Sequence, residues 1–306
     1  MNRITEDLLS LVTDYQGKFT GAYNIRVDGG CAGRASTENI KIVPHSEGKP
    51  GIEVHVAPGT KGERVYIPAC VTKGSIHDLT YNDFYIGEGA DIVIVAGCGI
   101  HSDDEEESFH HGIHCFMIGR DARVTYEEKH VGTGSGKGAK RIDPITEATL
   151  EEGASFTIDT IQLGGVNSTV RHTTAALKAR ARLVVRERLL TDHDETAETN
   201  FTVSLDGEDA GADLVSRSVA KGRSRQRFMS RMIGNARCTG HSECDAILAD
   251  KAVVTAAPII DANSQDASLI HEAAIGKIAG EQILKLQTLG MTEEEAVSRI
   301  IQGFLK

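Results

Sequence analysis

Short strand-like segments follow one another along most of the chain, among them Ile92-Val93-Ile94-Val95, Arg123-Val124-Thr125-Tyr126, Phe156-Thr157-Ile158-Asp159 and Leu183-Val184-Val185-Arg186. Most alternate apolar and polar residues, the period that sends neighbouring side chains to opposite faces of a strand. Clusters of Gly, Asp, Asn or Thr separate them. Between about residue 20 and residue 265 there is little helical periodicity. Many short strands without helical crossovers exclude a doubly wound α/β fold.

The strands come with an internal echo. A small-residue turn, an alanine and then a strand recur at Gly89-Ala90, Asp121-Ala122, Gly153-Ala154, Arg180-Ala181 and Gly211-Ala212. Successive alanines in this reading lie 32, 32, 27 and 31 residues apart. A near-constant period of that size marks a solenoid, whose coils bury their apolar faces against one another. A strand-rich solenoid is a parallel β-helix. A β-sandwich would also supply short strands, but it has no reason to repeat one corner at this spacing.

Helical patterns are confined to the ends. Ile4, Leu8, Leu9 and Val12 predict a short amphipathic opening helix. Residues 280–289 predict a helix stopped by Gly290, and Thr292 with Glu295 form a capping-box pattern that opens a second helix. On that second helix Ala296, Val297, Ile300, Ile301 and Phe304 share a face. The expected organisation is a lead-in over 1–20, a mainly β solenoid over 21–264 and a helical region over 265–306, whose exposed side could dock a partner.

Charge and composition narrow the function. The net charge of −11 is spread over the chain, which argues against nucleic acid as the main partner. The best basic patch is Arg217, Lys221, Arg223, Arg225 and Arg227. No apolar run reaches membrane-spanning length and the first residues lack a signal-peptide core, so a cytoplasmic location is expected. The six cysteines are then expected to be reduced thiols, and are too few for a disulfide framework in 306 residues.

Three clusters could carry chemistry. Cys98, His101, His110, His111, His114 and Cys115 flank the acidic run 103–107, a composition that suits a metal or sulfur site, although that run also reads as a solvated loop. Cys238, His241 and Cys244 have the order of a metal knuckle. In an extended strand, however, the two cysteines lie about 20 Å apart on one face while His241 points away. Cys244 alone is the better ligand candidate, with a small core hydrophobe as the bland reading. The pair His271-Glu272, placed at a strand-to-helix junction, offers one borderline and one hard ligand, or a helix cap. The Gly-rich stretch 132–140 lacks the spacing of a phosphate loop and reads as a flexible basic loop. Any nucleotide hydrolysis is therefore left to a partner.

Taken together, Met232-Ile233-Gly234-Asn235, Gly240-His241-Ser242-Glu243-Cys244-Asp245, Pro258, the run His271-Glu272 to Ile278, Glu281-Gln282 and Gly303-Phe304 resemble the SufB/SufD family of iron–sulfur cluster assembly proteins. Tyr126 to His130, Thr146-Glu147 and Val215 to Lys221 extend the likeness. The resemblance implies a right-handed parallel β-helix with C-terminal helices. It also implies a non-catalytic scaffold on which a transient iron–sulfur cluster is built from iron and a sulfur donor, for transfer to apo-protein recipients.

In that family Cys244 matches the cluster-holding cysteine, and His271 and Glu272 match the residues that face it across a dimer interface. One chain carrying all three implies a homodimer. A SufC-type ABC ATPase is implied as partner, docking on the C-terminal helices, where Ile283, Leu286, Val297, Ile300, Ile301 and Phe304 are expected to meet it. Two departures stand out. Larger members have a further N-terminal region. They also carry a cysteine midway along the β-helix to receive sulfur, whereas this chain has none between Cys115 and Cys238. Sulfur entry is thus open, either as sulfide used directly or through Cys98 and Cys115, which lie earlier in the chain. The rival readings are a stand-alone metal-binding or storage protein and a β-helix enzyme of the polysaccharide lyase type. With no Trp and 5% aromatic residues, sugar stacking has little to work with.

Overall fold

A computed structural model describes residues 2–13 and 15–306. It is a parallel β-solenoid in which the chain passes back and forth between two ten-stranded sheets. The first sheet holds, among others, the strands Asp91–His101, Arg123–Thr133, Ser155–Leu163, Arg182–Thr191, Ala210–Ala220, Cys238–Leu248 and Ala267–Gly276. The second holds Ser108–Ile118, Ser168–Leu177, Thr196–Leu205, Arg225–Gly234 and Val253–Ala262. Alternation sets the section of each coil, with one side chain in two turned into a narrow shared core.

The repeated corner is a four-residue turn. In each, the alanine N–H donates to the carbonyl three residues back, as Ala122 does to Gly119 at 3.2 Å and Ala154 to Glu151 at 3.0 Å. The residue before the alanine has positive φ, which glycine takes freely at 89 and 153, and Asp121 and Arg180 take at a cost of about 1–2 kcal/mol each. The alanines are fully buried because the corner leaves room for one methyl. The fifth corner is not Gly211-Ala212. It is Asp209-Ala210, with Asp209 at φ 58° and Ala210 donating to Gly207. Gly211 pairs with Arg182 one residue into the strand.

The N-terminal end of the solenoid is closed by two antiparallel hairpins, Ala22–Val27 with Gly30–Ala35 and Ile40–Pro44 with Gly51–Val56. Helix α1 (Arg3–Val12) lies over the outer face of the strands nearby. Gly97 and Gly99 make room for it, since a Cβ there would lie 2.8 Å from Val12 Cβ and 2.9 Å from Leu8 Cδ2. Its buried face is Thr5, Leu8, Leu9 and Val12. Ile4, expected on that face, is exposed instead, because Asn2 caps the helix through the Thr5 N–H and turns residue 5 inward.

At the other end the β body runs past the expected boundary at 264. The strand Ala267–Gly276 pairs along its whole length with Cys238–Leu248, so His271-Glu272 sits in mid-strand, not at a junction with a helix. Helices α2 (Gly280–Thr288) and α3 (Glu293–Phe304) follow, with Gly290 at φ 92° between them. The Thr292/Glu295 capping box is formed. The two helices pack on each other, which alters the expected docking surface. Ile301 is buried, and Ile283, Leu286, Val297, Ile300 and Phe304 are half-buried. The apolar side chains left bare are Leu284 and Leu289. No helix among the described residues is long and apolar enough to cross a membrane.

Two loops read separately in the sequence prove to be stacked. Gly138 N–H donates to the Asp104 carbonyl and Ser135 N–H to Asp103 Oδ1, so the Gly-rich stretch lies against the acidic run of the previous coil and is not free.

Candidate functional site

Cys244 stands on the strand Cys238–Leu248, inward-facing and 1% exposed. Parallel pairing places it in an in-register file of core positions: Ala96, Glu128, Thr160, Glu187, Ser216, Cys244 and, last, Ala273. Burial, with the Glu187 and Asp245 carboxylates, pushes its thiol up to about 12. In the free chain it is protonated, and it becomes a good ligand only when a bound cation displaces that proton. Cys238 shares its face six residues away, and His241 faces outward. No bend occurs at Gly240, so the knuckle arrangement does not form.

His271 lies on the next strand, paired with Ser242, and Ala273 pairs with Cys244. Cys244 and His271 are therefore diagonal neighbours on the inner face, with Cα atoms about 8 Å apart by strand spacing and rise. Both ring nitrogens of His271 are shielded from solvent and neither has a hydrogen-bond partner. Burial lowers its pKa, which keeps the imidazole neutral and its lone pair available. An orphaned imidazole of this kind costs stability unless something binds it.

Glu272 does not join them within one chain. As the residue after His271 it points to the outer face, where it is in register with Glu243 and lies 3.6 Å from His241 Nε2. Among the described residues, His241, Glu243 and Glu272 form the one group of three metal-ligating side chains whose donor atoms lie within 4.8 Å of one another. The expected trio is thus split by strand alternation into an inner pair and an outer carboxylate. His241 and Glu243 were in the sequence as neighbours of Cys244, but the register that brings Glu272 beside them is not legible from spacing alone.

The cluster from Cys98 to Cys115 is divided in the same way. Cys98, His110 and His114 line an internal cavity of about 20 Å³ together with Glu128 and His130, which belong to no metal-binding pattern in the sequence. His111 and Cys115 face outward, and His101 is held at the rim by Thr133 and Asp103. They are not one site. The inward groups are engaged with their neighbours: His110 Nδ1 lies 3.1 Å from Asp78 Oδ2, and Arg26 donates to the same carboxylate from both Nε and Nη2. Burial would raise Asp78, but His110 and Arg26 bring it down to about 2. Burial lowers His114 to about 4 and pushes the Cys98 thiol well above its usual range.

Further along, Arg171 bridges Glu128 at 2.7 Å and Glu187 at 3.6 Å, while Tyr126, Thr199 and Ser216 donate to the two carboxylates. Every member of this network is buried. The proposed basic patch is partly neutralised, with Arg217, Arg223 and Arg227 each beside a carboxylate.

Residues 79–304 match the family model described as SUF system FeS cluster assembly, SufBD core domain. An iron–sulfur cluster assembly SufBD family protein of Archaeoglobus fulgidus is 28% identical over 282 residues, covering 89% of this chain and 73% of the relative. One from Methanothermobacter thermautotrophicus is 28% identical over 262 residues, covering 83% of this chain and 62% of the relative. Another, from Pyrococcus horikoshii, is 28% identical over 205 residues, covering 64% and 60%. This chain therefore spans well under the full length of these relatives. With the family model matched across most of its solenoid and both C-terminal helices, the chain belongs to the SufBD family of iron–sulfur cluster assembly proteins.

Proposed function

We propose that the chain is a scaffold on which a nascent iron–sulfur cluster is held at the C-terminal end of the solenoid, as cargo, by Cys244 and His271. The observation that carries this reading is the orphaned His271 imidazole beside an inward cysteine at the last coil. Thiolate and neutral imidazole are established iron–sulfur ligands. Glu272, on the reverse face of the same strand, supplies a hard oxygen ligand to iron rather than a third ligand to the same cluster edge.

The scaffold acts as a homodimer joined through this end. Ile260 and Ile275 belong to the inner face yet are 42% and 40% exposed, because no further coil covers them. Each sheet stops here at a strand, Val253–Ala262 or Ala267–Gly276, whose far edge has no strand partner among the described residues. An open core end with free edges is the surface on which a second copy continues the burial. Besides the pair that stands about 8 Å apart within each subunit, Cys244 of one subunit then also comes near His271 of the partner subunit, and the joined ends share the cluster's ligands. An ATPase of the SufC type docks on the α2–α3 hairpin, where α2 buries none of its residues and Leu284 and Leu289 are bare. Catalysis of ATP hydrolysis belongs to that partner, and the chain itself makes no covalent change in a substrate.

Anaerobic reconstitution with ferrous iron and sulfide, followed by visible absorption, tests the site. Wild type is expected to develop a sulfide-to-iron chromophore that Cys244→Ala removes and His271→Ala weakens at least tenfold. A chromophore unchanged in Cys244→Ala would refute the assignment. ATPase binding should be lost on deleting residues 280–306, and binding that survives the deletion would count against the docking surface.

A further inference from the structure

The outer face behind Cys244 carries a constellation that cluster holding does not use. His241 Nδ1 lies 2.8 Å from Asp213 Oδ1, its in-register neighbour on the preceding strand of the sheet. That contact fixes the ring and aims Nε2 at Glu272 and Glu243. A carboxylate holding one imidazole nitrogen while the other faces an open position is the arrangement that orients metal-binding histidines. Glu243 and Glu272 lie directly opposite each other on adjacent strands, a pairing of like charges that is unfavourable unless a cation sits between them.

Asp245 adds a further carboxylate two residues along the same outer face as Glu243. Arg217 is a fixed cation 3.7 Å from Glu243 Oε1. Four carboxylates thus face one imidazole and one guanidinium. Donor atoms around a first-row ion are spaced about 3.0–3.5 Å for bonds near 2.1 Å. The present spread of up to 4.8 Å needs only side-chain rotation to tighten to that spacing.

We propose that His241, Glu243 and Glu272 form a binding site for one divalent first-row metal ion, with Asp213 as its positioning residue. One imidazole with two carboxylates is a donor set that accepts ferrous iron, manganese, cobalt or zinc and disfavours cuprous ions. That the natural occupant is ferrous iron held ready behind Cys244 rests on the assembly reading above; the metal binding itself does not. The site is built on two paired strands and exposed on one side, so an ion enters and leaves without opening the core. The inner thiol and the outer oxygen and nitrogen ligands sit on opposite faces of the same two strands, which separates holding of iron from holding of the cluster.

The test is titration of the full-length chain with cobaltous ion, without sulfide, read by visible d–d absorption and by equilibrium dialysis. Wild type is expected to bind one ion per chain with no thiolate-to-metal charge-transfer band. The double variant Glu243→Gln/Glu272→Gln is expected to bind at least 100-fold more weakly with a metal-free thermal midpoint no lower than that of wild type. Asp213→Asn, which touches no metal, should weaken binding about 10- to 100-fold. Cys244→Ala and His271→Ala should bind as wild type does, so loss of the cluster and loss of this site are told apart. Absence of stoichiometric binding by wild type would overturn the proposal. So would full binding by the double variant, or binding abolished by Cys244→Ala.

Discussion

The two ends of this solenoid are made of the same kind of coil and behave oppositely. The N-terminal end is closed by two hairpins and α1, and the buried charges of the body behind it are paired: Asp78 with His110 and Arg26 and, further along, Glu128 with Arg171, Tyr126 and His130. The C-terminal end is bare. Its inner face shows Ile260 and Ile275 to solvent and leaves both nitrogens of His271 without a partner. A core that is satisfied at one end and unsatisfied at the other stores stability in the first and binding capacity in the second. Features that would count as defects in a closed fold are, at the open end, the residues a partner and a cluster would complete.

Arg171→Ala should have the largest effect on stability. It leaves Glu128 and Glu187 buried without their shared cation, and a loss of about 3–5 kcal/mol is expected by denaturant unfolding. A loss under 1 kcal/mol would mean that the closed body is not held by this network.

Acid should act next, and on the interior first. His114 has a folded pKa of about 4, below the ordinary value of 6.5, so the unfolded chain takes up its proton first. The stability it contributes is complete above about pH 6.5 and is lost as pH falls towards 4, to about 3 kcal/mol. His114→Asn should flatten that part of the pH–stability curve, while His271→Asn should flatten it much less.

Gly99→Val would drive a side chain into Leu8 and lift α1, at about 1–3 kcal/mol. Ile260→Glu at the open end should leave the thermal midpoint of the chain nearly unchanged but weaken self-association at least tenfold in sedimentation experiments. The smallest expected change sharpens the contrast most. His271→Leu should be neutral within about 0.5 kcal/mol or slightly stabilising, because it removes two unpaired buried nitrogens. A marked destabilisation would show that His271 serves the fold.

Much of the solenoid was legible because its corners are chemically narrow. Only a small methyl fits behind a residue of positive φ, and four of the five corners stand where the small-residue-and-alanine pattern put them. The fifth slipped by two residues because Asp209-Ala210 and Gly211-Ala212 both fit the pattern, and only pairing with Arg182 decides between them. Strand alternation was also readable, which is why Cys238, His241 and Cys244 fell on the faces expected.

Register between coils was not readable. The sequence spacing from Cys244 to Glu272 does not say that Glu243 and Glu272 are opposite one another, nor that Glu128, Glu187, Ser216 and Cys244 share one file. The end of the β body was missed for a related reason. Ala273, Ala274 and Ile275 suit a helix as well as a strand, and only the neighbouring coil selects the strand.

Whether the cluster site is shared between two open ends can be read from a single mixing experiment. Cys244→Ala and His271→Ala chains are each reconstituted anaerobically with iron and sulfide, then co-refolded as an equimolar mixture and reconstituted again. If Cys244 of one subunit acts with His271 of the partner subunit, each mixed dimer has one intact site, and the mixture recovers about one quarter of the wild-type chromophore. A mixture that shows no more colour than the two variants alone would contradict a shared site and place Cys244 and His271 together within one chain.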